Sequence, residues 1–170
     1  MTATSSNLRD FRAYGRLEAF NAVLIPSLAT YFGWTHNFAS GAVLVLANLG
    51  VFIGLLVGTL YWLALADRVN GNASPMDGAL RIASASQRPM LVMIVAATIG
   101  LIAMVAARGW SLSAIVSAIV TALAGLEYVN YYHVQLQHFD NASDWRRLRD
   151  GRGFRQAHLA RDLAKWRRSR

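Results

Sequence analysis

The sequence predicts an all-α fold, a polytopic membrane helical bundle with four transmembrane helices, both termini in the cytoplasm and a basic, amphipathic helical tail. Three observations support this prediction. Of the 170 residues, 55% are hydrophobic and 15% are charged, whereas soluble domains usually carry about a quarter charged residues. The apolar residues are concentrated in four segments, and the basic residues are distributed unevenly around those segments.

A helix needs about 20 residues to span a membrane, and four apolar segments have about this length or more. The predicted spans are residues 17–34, 42–66, 89–107 and 110–130. The last three have no charge in their middles. The first contains Glu18, Asn21 and Pro26, so an interfacial helix or a signal peptide ending near Ala39 is an alternative. A kinked span is preferred, because Pro26 interrupts the apolar run and aromatic residues follow it.

The basic residues predict the orientation, because arginine and lysine collect on the cytoplasmic side of a membrane. Of the 17 basic residues, all except Arg108 precede the first span, lie between the second and third spans, or follow the fourth. Four spans with both termini inside place all of these on one side. The chain is therefore predicted to be a multi-pass protein of the cell inner membrane, with residues 1–139 as the membrane domain and 140–170 as a cytoplasmic tail. Lys165 is the only lysine, which suggests a bacterial source.

Small residues at four-residue spacing predict close helix packing in the second and fourth spans. Such residues let helix backbones approach each other where no hydrophobic effect drives association. They are Gly50, Gly54, Gly58, Ser117, Thr121 and Gly125. Packing inside one bundle is favoured, and contact between copies in a homo-oligomer is the alternative.

The segments outside the spans are predicted to be helical. A short interfacial helix is expected to begin at Ser74 and to end before Pro89. The fourth span is expected to continue to about Phe139, and a last helix to cover about residues 154–168. That helix places Leu159, Leu163 and Trp166 on one face.

The basic tail is the first candidate for binding. An apolar stripe edged by arginine suits an anionic bilayer surface, where each basic residue contributes about 1 kcal/mol. The candidate residues are Arg152, Arg155, Arg161, Lys165, Trp166 and Arg168. Anionic lipid headgroups are the preferred ligand, a cytoplasmic protein partner comes second, and nucleic acid comes last.

Polar residues near the inner ends of the spans are the second candidate. Helical geometry gathers them into one inner-leaflet zone. They are Glu18, Asn21, Asp67, Arg88, Glu127, Asn130 and His133. One interpretation is a hydrogen-bonded collar in which Arg88 or Arg16 neutralises Glu127. The other is a polar pocket in which Glu127 accepts a proton or binds a cation.

The sequence contains no cysteine, which excludes disulfides, thiolate metal sites and cysteine nucleophiles. It predicts no metal site and no cofactor, and it carries no recognised nucleotide-binding or catalytic motif. A non-enzymatic membrane module that self-associates or binds lipid or a partner is therefore the first hypothesis. A small ion, proton or solute transporter or channel is the alternative, and an interfacial enzyme acting on a lipid is the third.

Overall fold

Five α-helices form the described part of the chain. The computed structural model describes residues 2–36, 41–136, 149–150 and 153–170. The helices are α1 (Thr2–Thr35), α2 (Gly41–Val69), α3 (Ser74–Arg108), α4 (Leu112–Tyr132) and α5 (His158–Arg168).

Three of these helices, α2, α3 and α4, are long and apolar enough to cross a membrane by their length and composition. Three helices rather than the predicted four meet these criteria, because α1 does not. The physical reason is its composition: Glu18, Asn21, Ser27 and Thr30 interrupt the apolar residues of α1. Its 34 residues are nevertheless long enough to cross a bilayer.

The helix α2 is the centre of the bundle and packs against α1, α3 and α4. Helix α1 runs antiparallel to α2 along most of its length. At one end the ring of Phe11 stacks on that of Trp62, with centroids 5.7 Å apart. At the other end the Asn48 side-chain amide donates to the Thr30 hydroxyl at 3.2 Å. The two helices therefore lie side by side over most of the length of α1.

The outer surface of the bundle is strongly apolar. Only 11% of the most apolar stretch of α3 is buried, against 56% for α2. Exposed large side chains include Leu17, Phe20, Val23 and Leu28 on α1, and Val92, Val95, Ile99 and Ile102 on α3. Apolar surface of this extent is atypical of a soluble monomer and is suited to contact with lipid.

The predicted break before Pro89 is wrong, since α3 continues through this proline as one helix of 35 residues. Proline lacks an N–H group and so removes the helical hydrogen bond to the carbonyl of Ala85. Helices in membrane bundles tolerate this loss. The segment expected to be a separate interfacial helix is therefore the first half of α3.

The predicted extension of α4 to about residue 139 is also wrong for the described residues, because the helix ends at Tyr132. Beyond it, Val134 forms an antiparallel bridge with Gln156. The Ala157 N–H donates to the carbonyl of His133 at 3.1 Å. This pairing takes the backbone groups that a longer helix would use, and it positions the start of α5 at His158 rather than near 154.

Candidate functional site

Two glutamates, one on α1 and one on α4, are buried side by side in the bundle. Glu18 is 5% exposed and Glu127 is 9% exposed. The hydroxyl of Tyr131 donates to Glu18 Oε1 at 2.5 Å. Glu127 and Tyr131 are four residues apart on α4 and so share a helix face. The bond between Tyr131 and Glu18 therefore joins α4 to α1 one helical turn from Glu127.

Glycines on α2 make the room for this cluster. A Cβ atom built on Gly54 would lie 3.0 Å from Glu127 Cβ and 2.8 Å from Met90 Cε. A Cβ atom on Gly58 would overlap the hydroxyl of Tyr131. Since real Cβ atoms do not approach so closely, α4 can bring Glu127 and Tyr131 against α2 only where α2 has no side chain.

The ion pair expected for Glu127 is absent from the described residues. Neither Arg88 nor Arg16 forms a salt bridge with it, and both arginines are exposed. The Oε2 atom of Glu127 is buried and receives no hydrogen bond from the described part of the chain.

The other residues of the predicted polar zone lie in different surroundings. Asn130 is buried, and its side-chain oxygen accepts the Leu136 N–H at 2.8 Å. Asp67 lies 3.6 Å from Arg12 in a partly exposed ion pair. His133 is exposed at the end of α4, and Asn21 is half-buried on α1. Glu18 and Glu127 are thus the two members of the zone that are buried on either side of Tyr131. Asn130 and Asp67 make other contacts, and Arg88 is exposed.

Tyr131 is the residue of this cluster that sequence reasoning missed. Its side chain is 3% exposed and bonded to Glu18. Its spacing of four residues from Glu127 was the available signal. Among the described residues, no group of three His, Cys, Asp or Glu side chains could hold a metal ion.

Most of the residues that were predicted to pack closely are buried in the bundle, but Gly125 makes no close contact with another helix. A Cβ atom on Gly50 would lie 3.1 Å from Ala124 of α4, so the glycines of α2 face α4 within one chain. Ser117 and Thr121 are buried. Gly125 is half-buried, and a Cβ atom there would meet nothing within 4 Å.

The apolar face of α5 packs against the bundle. Leu159 and Leu163 are 1% and 3% exposed, and they join a cluster with residues of α2 and α3 such as Tyr61 and Leu80. The predicted stripe is therefore covered by the chain itself. Leu80 and Tyr61 belong to neighbouring helices, so α5 bridges α2 and α3.

Two acidic residues hold α5 in this position. Asp162 of α5 accepts a hydrogen bond from the Tyr61 hydroxyl at 3.1 Å and lies 3.5 Å from Arg68. Asp77 near the start of α3 accepts the indole N–H of Trp166 at 2.6 Å. Arg170 also contacts Asp77, at 3.1 Å, and its guanidinium stacks over the ring of Trp166.

The opposite face of α5 and the segment before it carry exposed basic residues, which are called here the outer basic face. They are Arg155, Arg161, Lys165 and Arg168. Arg152, which was predicted to belong to this set, lies outside the described residues. Trp166 does not belong to the outer face because it is half-buried against Asp77.

No protein-family model, curated protein or solved structure matches this chain.

Proposed function

We propose that this chain is a non-enzymatic multi-pass membrane module that binds anionic lipid headgroups through its outer basic face. The observation that carries the proposal is the orientation of α5. Its apolar side chains are covered by α2 and α3, while Arg161, Lys165 and Arg168 remain exposed. A helix held in this way presents charge without having to expose its apolar stripe.

We also propose that α1 spans the bilayer. Although α1 is too polar to qualify as a membrane span by its own composition, it lies antiparallel to α2 from Phe11 to Thr30. A helix at the same depth as a spanning neighbour must cross the same hydrocarbon layer. Its polar residue Glu18 is buried in the bundle and its large apolar residues face outward, as membrane helices require.

The proposed orientation has both termini on the cytoplasmic side of a bacterial inner membrane, because this places all described basic residues except Arg108 on one side. A reporter that is active only in the cytoplasm should work when fused after Arg170. The same reporter inserted at Gly109, between α3 and α4, should be inactive. An exported C-terminus would contradict the orientation.

The outer basic face lies within reach of the headgroups. Arg167, next to Arg168, donates to Gln87 at 2.8 Å. Gln87 is two residues before Pro89, where the apolar part of α3 begins. Anionic lipids attract arginine and lysine over about one Debye length, which is about 8 Å at physiological ionic strength.

The decisive experiment measures lipid selectivity in reconstituted bilayers. Spin-labelled phosphatidylglycerol and phosphatidylcholine are compared by the fraction of each that the protein immobilises. Wild type should prefer phosphatidylglycerol, and replacing Arg155, Arg161, Lys165 and Arg168 by glutamine should lower that preference at least about fivefold. The matched control is Arg108→Gln, on the other side of the membrane. An unchanged preference in the fourfold variant would assign this face to a protein partner instead.

A second candidate function is supported by the buried glutamates. Glu127 Oε2 has no hydrogen-bond donor among the described residues, and Tyr131, one helical turn along α4, is bonded to Glu18. Two carboxyl groups inside a membrane bundle can share a proton or hold a cation. In proteoliposomes, proton or cation flux that is lost in Glu127→Gln but kept in the fourfold tail variant would support this candidate. Absence of flux in wild type would remove it.

A further inference from the structure

A groove of about 710 Å³ lies where α3, α4 and α5 meet. This volume is within the range of sites that hold small ligands. Its lining includes Ser84, Gln87, Arg88 and Leu91 of α3, Tyr128 of α4, and Arg167 of α5. The described lining residues therefore contribute two guanidinium groups and no carboxylate.

The two arginines differ in how they are held. Arg167 donates to Ser84 Oγ at 3.1 Å and to Gln87 Oε1 at 2.8 Å. Both acceptors are uncharged, so they orient the guanidinium without neutralising it. Arg88 is exposed, and the described residues offer it no hydrogen-bond or ion-pair partner. A groove built in this way attracts an anion, and arginine pairs bind phosphate oxygens with good geometry.

The surroundings of the groove match a lipid. Arg88 immediately precedes Pro89, after which α3 is apolar, and Leu91 of this apolar part lines the groove. From there Val92 and Val95 continue the exposed apolar surface along α3. A phosphate held between the arginines would leave its acyl chains against this surface. A free phosphate ion would make no use of it.

We infer that the groove binds the phosphate headgroup of one anionic lipid, with its acyl chains along α3. The inference rests on the proposed membrane placement, and it names a site formed by residues other than the outer basic face.

The test uses the full-length protein in a neutral detergent, titrated with phosphatidylglycerol or phosphatidylcholine and observed by native mass spectrometry. The main variant is Arg88→Gln, because Arg88 holds no described contact and its loss should leave folding intact. Arg108→Gln is the matched control on the same helix. Wild type should retain one phosphatidylglycerol molecule, with an affinity about tenfold above that of Arg88→Gln. Arg108→Gln should behave as wild type.

Three results would overturn the inference. The first is equal retention by the two arginine variants. The second is equal retention of phosphatidylcholine, and the third is displacement of the bound lipid by inorganic phosphate at matching concentration, which would assign the groove to a soluble ligand. The fourfold variant of the outer basic face separates this site from the proposed function. It should keep the single tightly bound lipid while losing the bilayer preference for phosphatidylglycerol.

Discussion

Adding one methyl group at Gly58 tests how the bundle makes room for its buried carboxyl groups. In Gly58→Ala, the new Cβ atom would overlap the hydroxyl of Tyr131 and would lie 3.1 Å from Cε1 of the same ring. The tyrosine must then move away from α2. Because its hydroxyl is bonded to Glu18 at 2.5 Å, the movement also breaks this hydrogen bond.

The expected cost follows from three contributions. Overpacking of a close contact costs about 2 kcal/mol. Loss of a buried hydrogen bond to a carboxyl group adds about 1.5 kcal/mol. Alanine in place of glycine in a helix offsets about 1 kcal/mol. The free energy of unfolding of Gly58→Ala should therefore fall by about 2–3 kcal/mol.

Unfolding by SDS in mixed micelles, followed by far-UV circular dichroism, measures this difference. Gly125→Ala is the matched control, because a Cβ atom there meets nothing within 4 Å. It should be neutral or stabilising by up to about 1 kcal/mol. The double variant Gly58→Ala with Tyr131→Phe should cost less than the sum of the single changes, since both remove the same hydrogen bond. Equal stability of Gly58→Ala and Gly125→Ala would refute the reasoning.

Two further predictions concern the end of the bundle that α5 covers. Asp77→Ala removes the acceptor of the Trp166 indole N–H and should weaken the attachment of α5 to the bundle. Trypsin should then cleave this arginine-rich helix several-fold faster in the detergent-solubilised protein. Asp10→Ala is the control, and equal cleavage rates in the two variants would contradict the role given to Asp77. Asn130→Ala leaves the Leu136 N–H without its acceptor and should lower the free energy of unfolding by about 1–2 kcal/mol. Unchanged SDS unfolding of the Asn130 variant would show that water replaces the lost acceptor.

The sequence predicted helix type and apolar periodicity well, because both are local properties. The spacing of Gly50, Gly54 and Gly58 indicated a close helix contact, and these glycines do make one. The spacing could not name the partner, since a small-residue stripe fits another helix of the same chain as well as a second copy. The side chains of α4 that fill the stripe lie about 70 residues away in the chain.

The wrong end of α4 and the missed role of Tyr131 both arise from contacts between residues that are distant in the chain. The end of α4 depends on the bridge between Val134 and Gln156. The apolar stripe of the tail was correctly identified, but its position depends on Asp77, which is 89 residues from Trp166. The bond between Tyr131 and Glu18 joins residues 113 positions apart. Hydrophobic periodicity carries no information about such pairs.

The position of α5 has a consequence for the order in which this protein matures. Because α5 follows α2 and α3 in the chain, the ribosome makes it after both of those helices. The hydrogen bonds of Tyr61 with Asp162 and of Asp77 with Trp166 therefore form only after α5 has been made. Until then the ends of α2 and α3 that α5 covers are exposed to chaperones and proteases, and attachment of α5 is the step that protects them.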